Sequence, residues 1–155
     1  TIYLLYYYME MSLTLTPDQV PSSSAVCFHF SCPQKENCMR FLAGKAIAEK
    51  RQCGLTVYPA AYESGTCSMY KQSRIFTAAY GFNKLFSQVR YGEVTKLREA
   101  LKQYLGGHGT YYRYHKGDNR LTPEQQTWII NLFAEHGYHL EFPFDHYSQQ
   151  FDFSD

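Results

Sequence analysis

The sequence lacks the features that identify exported or membrane-spanning proteins. An apolar run over residues 1–8 (TIYLLYYY) is too short to cross a bilayer, and it has neither the basic segment nor the cleavage site of a signal peptide. We therefore expect a cytoplasmic protein with reduced cysteines that makes no contact with a membrane. Position 1 is not Met, so translation is predicted to start at Met9 or Met11, and residues 1–10 are left out of the fold prediction.

Motifs of the common enzyme classes are missing as well. The chain has no H-E-x-x-H, no Walker A loop, no G-x-G-x-x-G and no nucleophile elbow. His136 and His139 are separated by Gly137, so they do not share a helix face. A catalytic function is not favoured, and no catalytic residue is predicted.

Basic residues are missing from the C-terminal part of the chain. Residues 121–155 contain six acidic residues and no Lys or Arg, whereas residues 71–120 contain ten basic and three acidic residues. The net charge of the 155 residues is nevertheless only +1. The basic segment is therefore expected either to bind phosphate groups or to contact the protein's own acidic tail.

What the sequence does contain is enough apolar residues, 45%, to build the core of one ordinary domain. Apolar spacings of three and four residues predict helices over residues 36–50, 73–89 and 93–105. A fourth helix has the clearest start, because Thr122 is a favoured N-cap, Pro123 suits the first helical position and Gln125 completes a capping box.

These elements predict a mainly α fold, with α+β as the alternative. It would be a small four-helix body with a Cys-rich N-terminal loop and an extended acidic tail over residues 138–155. Residues 1–24 are predicted to be a disordered or non-native arm. Residues 25–155 are predicted to form a single metal-stabilised domain.

Five cysteines carry the strongest chemical signal. The spacing C-x4-C-x5-C, followed by a distant fourth Cys, allows a tetrahedral cage of soft thiolate ligands. The predicted ligands are Cys27, Cys32, Cys38 and Cys67. His29 is a substitute ligand, whereas Cys53 falls at a predicted helix end and is expected to be a bystander.

Three interpretations of the cysteines stay open. Structural zinc is favoured, an iron–sulfur cluster is the alternative, and the third interpretation is that the thiols are ordinary core residues without metal. Disulfides are not favoured, because five cysteines leave one unpaired and no export signal is visible.

Residues 111–116 (YYRYHK) are the best candidate for a binding surface. Aromatic rings stack on bases while Arg and Lys meet phosphates, a combination that suits RNA or single-stranded DNA. The predicted contact residues are Tyr111, Tyr112, Arg113, Lys116 and Arg120. The alternative is a strand whose Tyr side chains pack on helices while its charged side chains face solvent.

Several short motifs occur in an order that resembles one family. They are Cys27-x4-Cys32-Pro33-x4-Cys38-x-Arg40, a later Cys67, Tyr111-Tyr112-Arg113-x3-Gly117, Leu121-x-Pro123-x-Gln125-Gln126 and Phe144-Asp145-x-Tyr147. Over residues 20–152 the chain resembles an uncharacterised domain-of-unknown-function family of Bacteroides-type bacteria. The resemblance implies a bacterial cytoplasmic protein and a four-Cys site without Cys53, and it implies no activity.

Three functions are compatible with these features. The favoured one is a non-catalytic, metal-stabilised binding module that contacts RNA, DNA or a nucleic-acid machine. The second is a protein–protein adaptor that binds its partner through the aromatic surface and the acidic tail. The third is an iron–sulfur or redox sensor that uses the same cysteines. No oligomeric state is predicted.

Overall fold

The structure, a computed structural model, describes residues 13–154 and contains both helices and strands. The helices in this range are α1 (Met39–Ile47), α2 (Asn83–Phe86), α3 (Tyr91–Tyr104), α4 (His108–Lys116) and α5 (Pro123–Glu135). Strands β1 (Ile75–Tyr80) and β2 (His146–Phe151) form a two-stranded antiparallel sheet. Short 3-10 turns cover Pro17–Gln19, Lys35–Asn37 and Pro59–Ala61. The fold is therefore a small α+β fold.

The described chain divides into two compact units, each with its own core. Unit 1 comprises residues 13–75 and 151–154, and unit 2 comprises residues 76–150. The single domain expected over residues 25–155 stays a prediction. None of the helices in the described part of the chain combines the length and apolar character that crossing a bilayer requires.

Residues 13–24 belong to unit 1 and contribute to its core, whereas the disordered or non-native arm expected over residues 1–24 stays a prediction. Val20 is only 1% exposed and lies in a core cluster with Val26, Ala43 and Ile47. The Arg51 side chain fixes this segment by donating hydrogen bonds to the carbonyl oxygens of two of its residues, Pro17 and Val20. Residues 1–12 of the predicted arm lie outside the described residues.

The helix predicted over residues 73–89 is wrong. Residues 75–80 form β1, and only residues 83–86 are helical. Gly81 separates the two elements with a φ of 84°, a left-handed conformation that a helix does not contain. Ala79 pairs with Leu121 in an antiparallel bridge, so its burial reflects contact with a distant segment. The apolar spacing that resembled a helix arises from a strand and a short helix joined at Gly81.

The other predicted helices are present. Helix α1 lies inside residues 36–50, and α3 begins two residues before the predicted 93–105 and ends one residue before it. The capping box of α5 is confirmed, because Thr122 Oγ1 accepts from the Gln125 amide at 3.3 Å and Gln125 Oε1 accepts from the Thr122 amide at 3.0 Å. Two side chains thus satisfy backbone donors at the start of this helix.

The acidic tail contributes structure to unit 2. Asp145 caps α2, because its carboxylate accepts hydrogen bonds from the amides of Asn83 at 3.0 Å and Lys84 at 2.8 Å. A Cβ on Gly81 would approach Asp145 Oδ2 to 2.5 Å, so this position requires glycine for space as well as for its backbone conformation. The residues that follow Asp145 form β2 instead of a loosely extended tail.

Candidate functional site

All four predicted cysteine ligands line one small cavity of unit 1, with a volume of about 20 Å³. The substitute ligand His29 lines the same cavity. All four thiols are free: Cys27 and Cys38 are buried, and Cys32 and Cys67 are half-buried. The fold therefore brings together cysteines that lie far apart along the chain.

Backbone hydrogen bonds hold the Cys38 and Cys67 sides of this cavity against each other. Cys38 is the N-cap residue of α1 and pairs with Gln72 in an antiparallel bridge. The amide of Met39 donates to the carbonyl oxygen of Lys71 at 2.7 Å. The start of α1 is thus fixed to the segment that follows Cys67.

The backbone of Cys27 lies directly against α1. Its amide donates to the carbonyl oxygen of Arg40 at 2.8 Å. A Cβ on Gly44 would lie only 2.3 Å from the Cys27 carbonyl oxygen, so only glycine leaves room for this approach. The neighbouring residue Val26 pairs with Thr56 in a parallel bridge, which fixes the outer side of the segment.

Cys32 lies in a tight turn. Its amide donates to the carbonyl oxygen of His29 at 3.1 Å, and its own carbonyl oxygen accepts from the Lys35 amide at 3.3 Å. The Lys35 ammonium group donates to the carbonyl oxygen of Phe30 at 2.9 Å and also lines the cavity. A cationic side chain therefore stabilises the turn that carries Cys32.

His29 has an unusual environment at the cavity wall. Its ring stacks on Tyr62 with a centroid distance of 3.9 Å and an interplanar angle of 11°. Its Nδ1 atom is buried and has no hydrogen-bond partner among residues 13–154. Burying a polar atom without a partner costs free energy, and a group bound in the cavity would supply the missing partner for this nitrogen.

Arg40 connects the two segments that carry Cys27 and Cys67, the first and last predicted ligands along the chain. Its Nε donates to the carbonyl oxygen of Met69 at 2.9 Å, and its Nη1 donates to that of Ala25 at 3.1 Å. Ala25 precedes Cys27 by two residues, and Met69 follows Cys67 by two. One guanidinium group thereby fixes both loops.

The donor atoms of this cavity are of the type that binds a soft metal ion, but they are not positioned to hold one. Four thiols form the ligand set that structural zinc prefers, with Zn–S distances of about 2.3 Å. In residues 13–154, no group of three or more His, Cys, Asp or Glu side chains is arranged so that it could hold a metal ion. Binding would therefore require the cysteines to move inward, and both the ligands and the metal stay predictions.

Comparison with known families identifies the family of this chain, whereas the specific motif pattern stays a prediction. Residues 9–153 match a family of unknown function, DUF6078. The chain belongs to this family. The prediction of an uncharacterised family is confirmed, whereas the bacterial origin of this DUF6078 chain stays a prediction. Comparison with curated proteins and with solved structures gave no significant match.

Cys53 lies apart from the other cysteines of this DUF6078 chain. It is exposed and lines a different cavity, of about 330 Å³, together with Arg51 and Leu55. None of the other four cysteines lines that cavity. This position is the one expected of a bystander, although the ligand assignment itself stays a prediction.

Residues 111–116, the candidate binding segment, lie in helix α4 and do not form a strand. Two left-handed glycines, Gly106 and Gly107, precede the helix, and Gly117 ends it with a φ of 93°. Tyr111 is only 4% exposed and stacks on Phe82 at a centroid distance of 5.0 Å. Burial raises the pKa of Tyr111 above its usual value. This ring belongs to the core and is not available to stack on a base.

The remaining predicted contact residues differ in exposure. Tyr112 is 39% exposed, and Arg113 and Lys116 are exposed on the same helix. Arg120 is half-buried, and its guanidinium group lies 3.9 Å from the centroid of the Tyr80 ring. The structure therefore places three of the five predicted contact residues on the exposed side of α4.

Sequence reasoning missed several residues that shape the cysteine cavity. Gly44 was not singled out, although a glycine inside a strongly helical segment is a signal of close packing. Tyr62 and Lys35 gave no signal at all, because they reach the cavity through loop conformations that no spacing rule predicts.

Proposed function

We propose that this DUF6078 chain is a non-catalytic cytoplasmic binding module whose unit 1 is stabilised by a metal ion. The predicted ligands are Cys27, Cys32, Cys38 and Cys67. The observation that carries the proposal is the gathering of four free thiols around one cavity, while the fifth cysteine lines another. Zinc is the favoured ion because it prefers thiolates in closed tetrahedral sites.

The charges around the cavity support a thiolate site. Four thiolates around Zn²⁺ carry a net charge of −2, which is costly to bury without compensation. Within the described residues 13–154, Lys35 and Arg40 are the two cationic residues that line the cavity, and no carboxylate lines it. Their combined charge of +2 would balance the bound complex. Arg40 would also hold the Cys27 and Cys67 loops in position while the ligands close on the ion.

Metal binding would contribute directly to the stability of unit 1. Structural zinc sites form only in the folded chain, so the free energy of binding adds to the free energy of folding. Cys32 and Cys67 both lie in loops, so these two thiols would move inward to complete the site. His29 could replace one of these thiols, because its Nδ1 atom is unpartnered at the same wall.

Metal analysis of protein purified without oxygen tests this proposal. We expect about one zinc ion per chain, and a brown protein with visible absorbance bands would instead indicate the iron–sulfur alternative. Cys38→Ser should lose the metal and unfold at a lower temperature. The matched variant Cys53→Ser should keep both the metal and the stability. Metal loss in both variants, or in neither, would show that the ligand assignment is wrong.

We also propose that the exposed side of α4 contacts single-stranded nucleic acid. Within residues 13–154, the only ion pair between Lys or Arg and a carboxylate is Lys102 with Glu99, at 2.8 Å. Arg113 and Lys116 therefore have no close carboxylate from the acidic tail in that range. This favours the phosphate-binding interpretation of the basic segment over neutralisation by the chain itself. Tyr112 lies one turn before Lys116 on the same helix, and its ring is exposed for stacking.

The dependence of RNA binding on salt distinguishes these interpretations. The probe is a short oligouridylate, and the affinity is measured at several salt concentrations. Removing two phosphate contacts with Arg113→Ala and Lys116→Ala should make the negative slope of log K against log salt shallower by about 1.4. A control pair on unit 1, Lys45→Ala with Lys50→Ala, should leave the slope unchanged. Binding that is absent, or that ignores salt, would refute the nucleic-acid proposal.

A further inference from the structure

Unit 1 contains a third cavity, which shares Arg40 and Met69 with the cysteine cavity but is lined by none of its thiols. Its volume is about 420 Å³, which lies in the range of about 300 to 1,000 Å³ typical of small-molecule sites. The residues that line it are Pro21, Ser23, Ser24, Ala25, Met39, Arg40, Ala43, Met69, Lys71 and Phe153. Among these lining residues, all from the described range 13–154, two are cationic and none is a carboxylate, so the cavity favours an anion.

Arg40 is the cation that makes this cavity suitable for an oxyanion. Its Nε and Nη1 atoms are fixed by the carbonyl oxygens of Met69 and Ala25. Its third nitrogen, Nη2, donates to no residue within the range 13–154. A guanidinium group that is already fixed loses little freedom when it binds a ligand. Lys71 adds positive charge but donates to the carbonyl oxygen of Phe153 at 3.0 Å and has a further partner, so the inference rests on Arg40.

The other residues that line the cavity indicate which polar and apolar parts its ligand would have. Ser23 and Ser24 add two hydroxyl groups, which can donate to the oxygens of a phosphate group. Met39 and Ala43 are each 1% exposed and form apolar wall, as does Phe153. A ligand that satisfies both parts carries an anionic group at one end and an apolar or aromatic body at the other.

We infer that this cavity binds a small phosphate monoester with an apolar or aromatic body. The Nη2 group of Arg40 can donate charge-assisted hydrogen bonds to phosphate oxygens, and the serine hydroxyls supply the additional donors. The apolar wall distinguishes an organic phosphate from inorganic phosphate. Arg40 also lines the cysteine cavity, so the phosphate site shares this residue with the proposed metal site, although it uses none of the thiols.

Calorimetric titration of the whole protein with phenyl phosphate tests this inference. Phenyl phosphate should bind at least about fivefold more tightly than inorganic phosphate, because the ring adds apolar contact. Phenol, which has the ring without the anion, should show no measurable binding. A wild-type protein that does not bind phenyl phosphate at millimolar concentration, or that binds phenol equally well, would overturn the inference.

Two adjacent serines provide a matched pair of variants. Ser23 and Ser22 are both exposed, but Ser23 lines the proposed phosphate cavity and Ser22 lines the cavity that contains Cys53. Ser23→Asp places a carboxylate at the phosphate site and should weaken phenyl phosphate binding at least tenfold. Ser22→Asp should change the affinity less than twofold. Equal effects of the two substitutions would show that the ligand binds elsewhere.

The role of Arg40 is tested against a second arginine of the same unit. Arg51 also donates to two backbone carbonyl oxygens, those of Pro17 and Val20, but it lines the cavity of Cys53. Arg40→Gln should weaken binding at least tenfold, whereas Arg51→Gln should change it less than twofold. A larger effect of Arg51→Gln would overturn the assignment. If Arg40→Gln does not fold, the Ser23→Asp result decides.

Discussion

Gly44→Ala is expected to destabilise unit 1 although it replaces glycine with the best helix former. In an exposed helix this change is stabilising by about 1 kcal/mol. At position 44, however, the new Cβ would lie 2.3 Å from the Cys27 carbonyl oxygen and 3.1 Å from its carbonyl carbon. Neither atom can move away as a flexible side chain would, because the Cys27 amide is hydrogen-bonded to Arg40.

The magnitude follows from the contact distances. A Cβ atom and a carbonyl oxygen stay at least 3.0 Å apart, so the backbone of Cys27 or the whole of α1 must shift by about 0.7 Å from the 2.3 Å contact. Overpacking of this kind costs about 1–3 kcal/mol, and the helix-propensity gain offsets only about 1 kcal/mol of it. Since the obstacle is backbone, we expect a net loss of about 2 kcal/mol. The same shift displaces Cys27, so the affinity of the proposed zinc site should fall as well.

Urea denaturation followed by circular dichroism measures this effect. Gly92→Ala is the matched control, because Gly92 also lies in a helix, α3, and a Cβ there would meet no atom within 4 Å. This control should be neutral or stabilising by up to about 1 kcal/mol. If Gly44→Ala is as stable as Gly92→Ala, the close approach of α1 to Cys27 is not present in the protein.

Two further predictions concern unit 2. Asp145→Ala removes the carboxylate that caps α2, so we expect the free energy of unfolding to fall by about 1 kcal/mol and the amides of Asn83 and Lys84 to exchange faster. Asp145→Asn should have a smaller effect on both quantities. Burial raises the pKa of Tyr111, so above about pH 10 the unfolded state releases the phenol proton while the folded state still holds it. The free energy of unfolding therefore decreases as the pH rises above about 10. Tyr111→Phe should remove the contribution of this residue to that decrease. Unchanged exchange rates in the first case, or an unchanged pH dependence in the second, would contradict the structure.

Local signals predicted some elements well and others not at all. The start of α5 was predictable because its cap, formed by Thr122 and Gln125, lies entirely within four consecutive residues. The segment over residues 73–89 was not, because its structure depends on distant groups: Leu121 pairs with Ala79, and Asp145 caps α2. Apolar spacing cannot distinguish a helix from a strand when such long-range contacts decide the outcome.

The candidate site shows the same division. The spacing of the cysteines indicated which four belong together, and the structure places those four around one cavity. The supporting residues were out of reach, because Gly44, Tyr62 and Lys35 act through close packing and loop conformation. Tyr111 was predicted at a binding surface because its sequence neighbours are basic, but the helical period turns its ring toward Phe82 and into the core.

The division of the chain into a continuous and a discontinuous unit has a consequence for synthesis on the ribosome. Unit 2 is complete once residue 150 has emerged, whereas unit 1 still lacks residues 151–154 at that moment. Those late residues matter, since Phe153 packs on the core around Val26 and the Asp152 amide donates to the carbonyl oxygen of Arg74 at 2.8 Å. Unit 1, whose synthesis begins first, is therefore completed after unit 2. Its thiols remain in a partly assembled unit while all residues of unit 2 have already been synthesised.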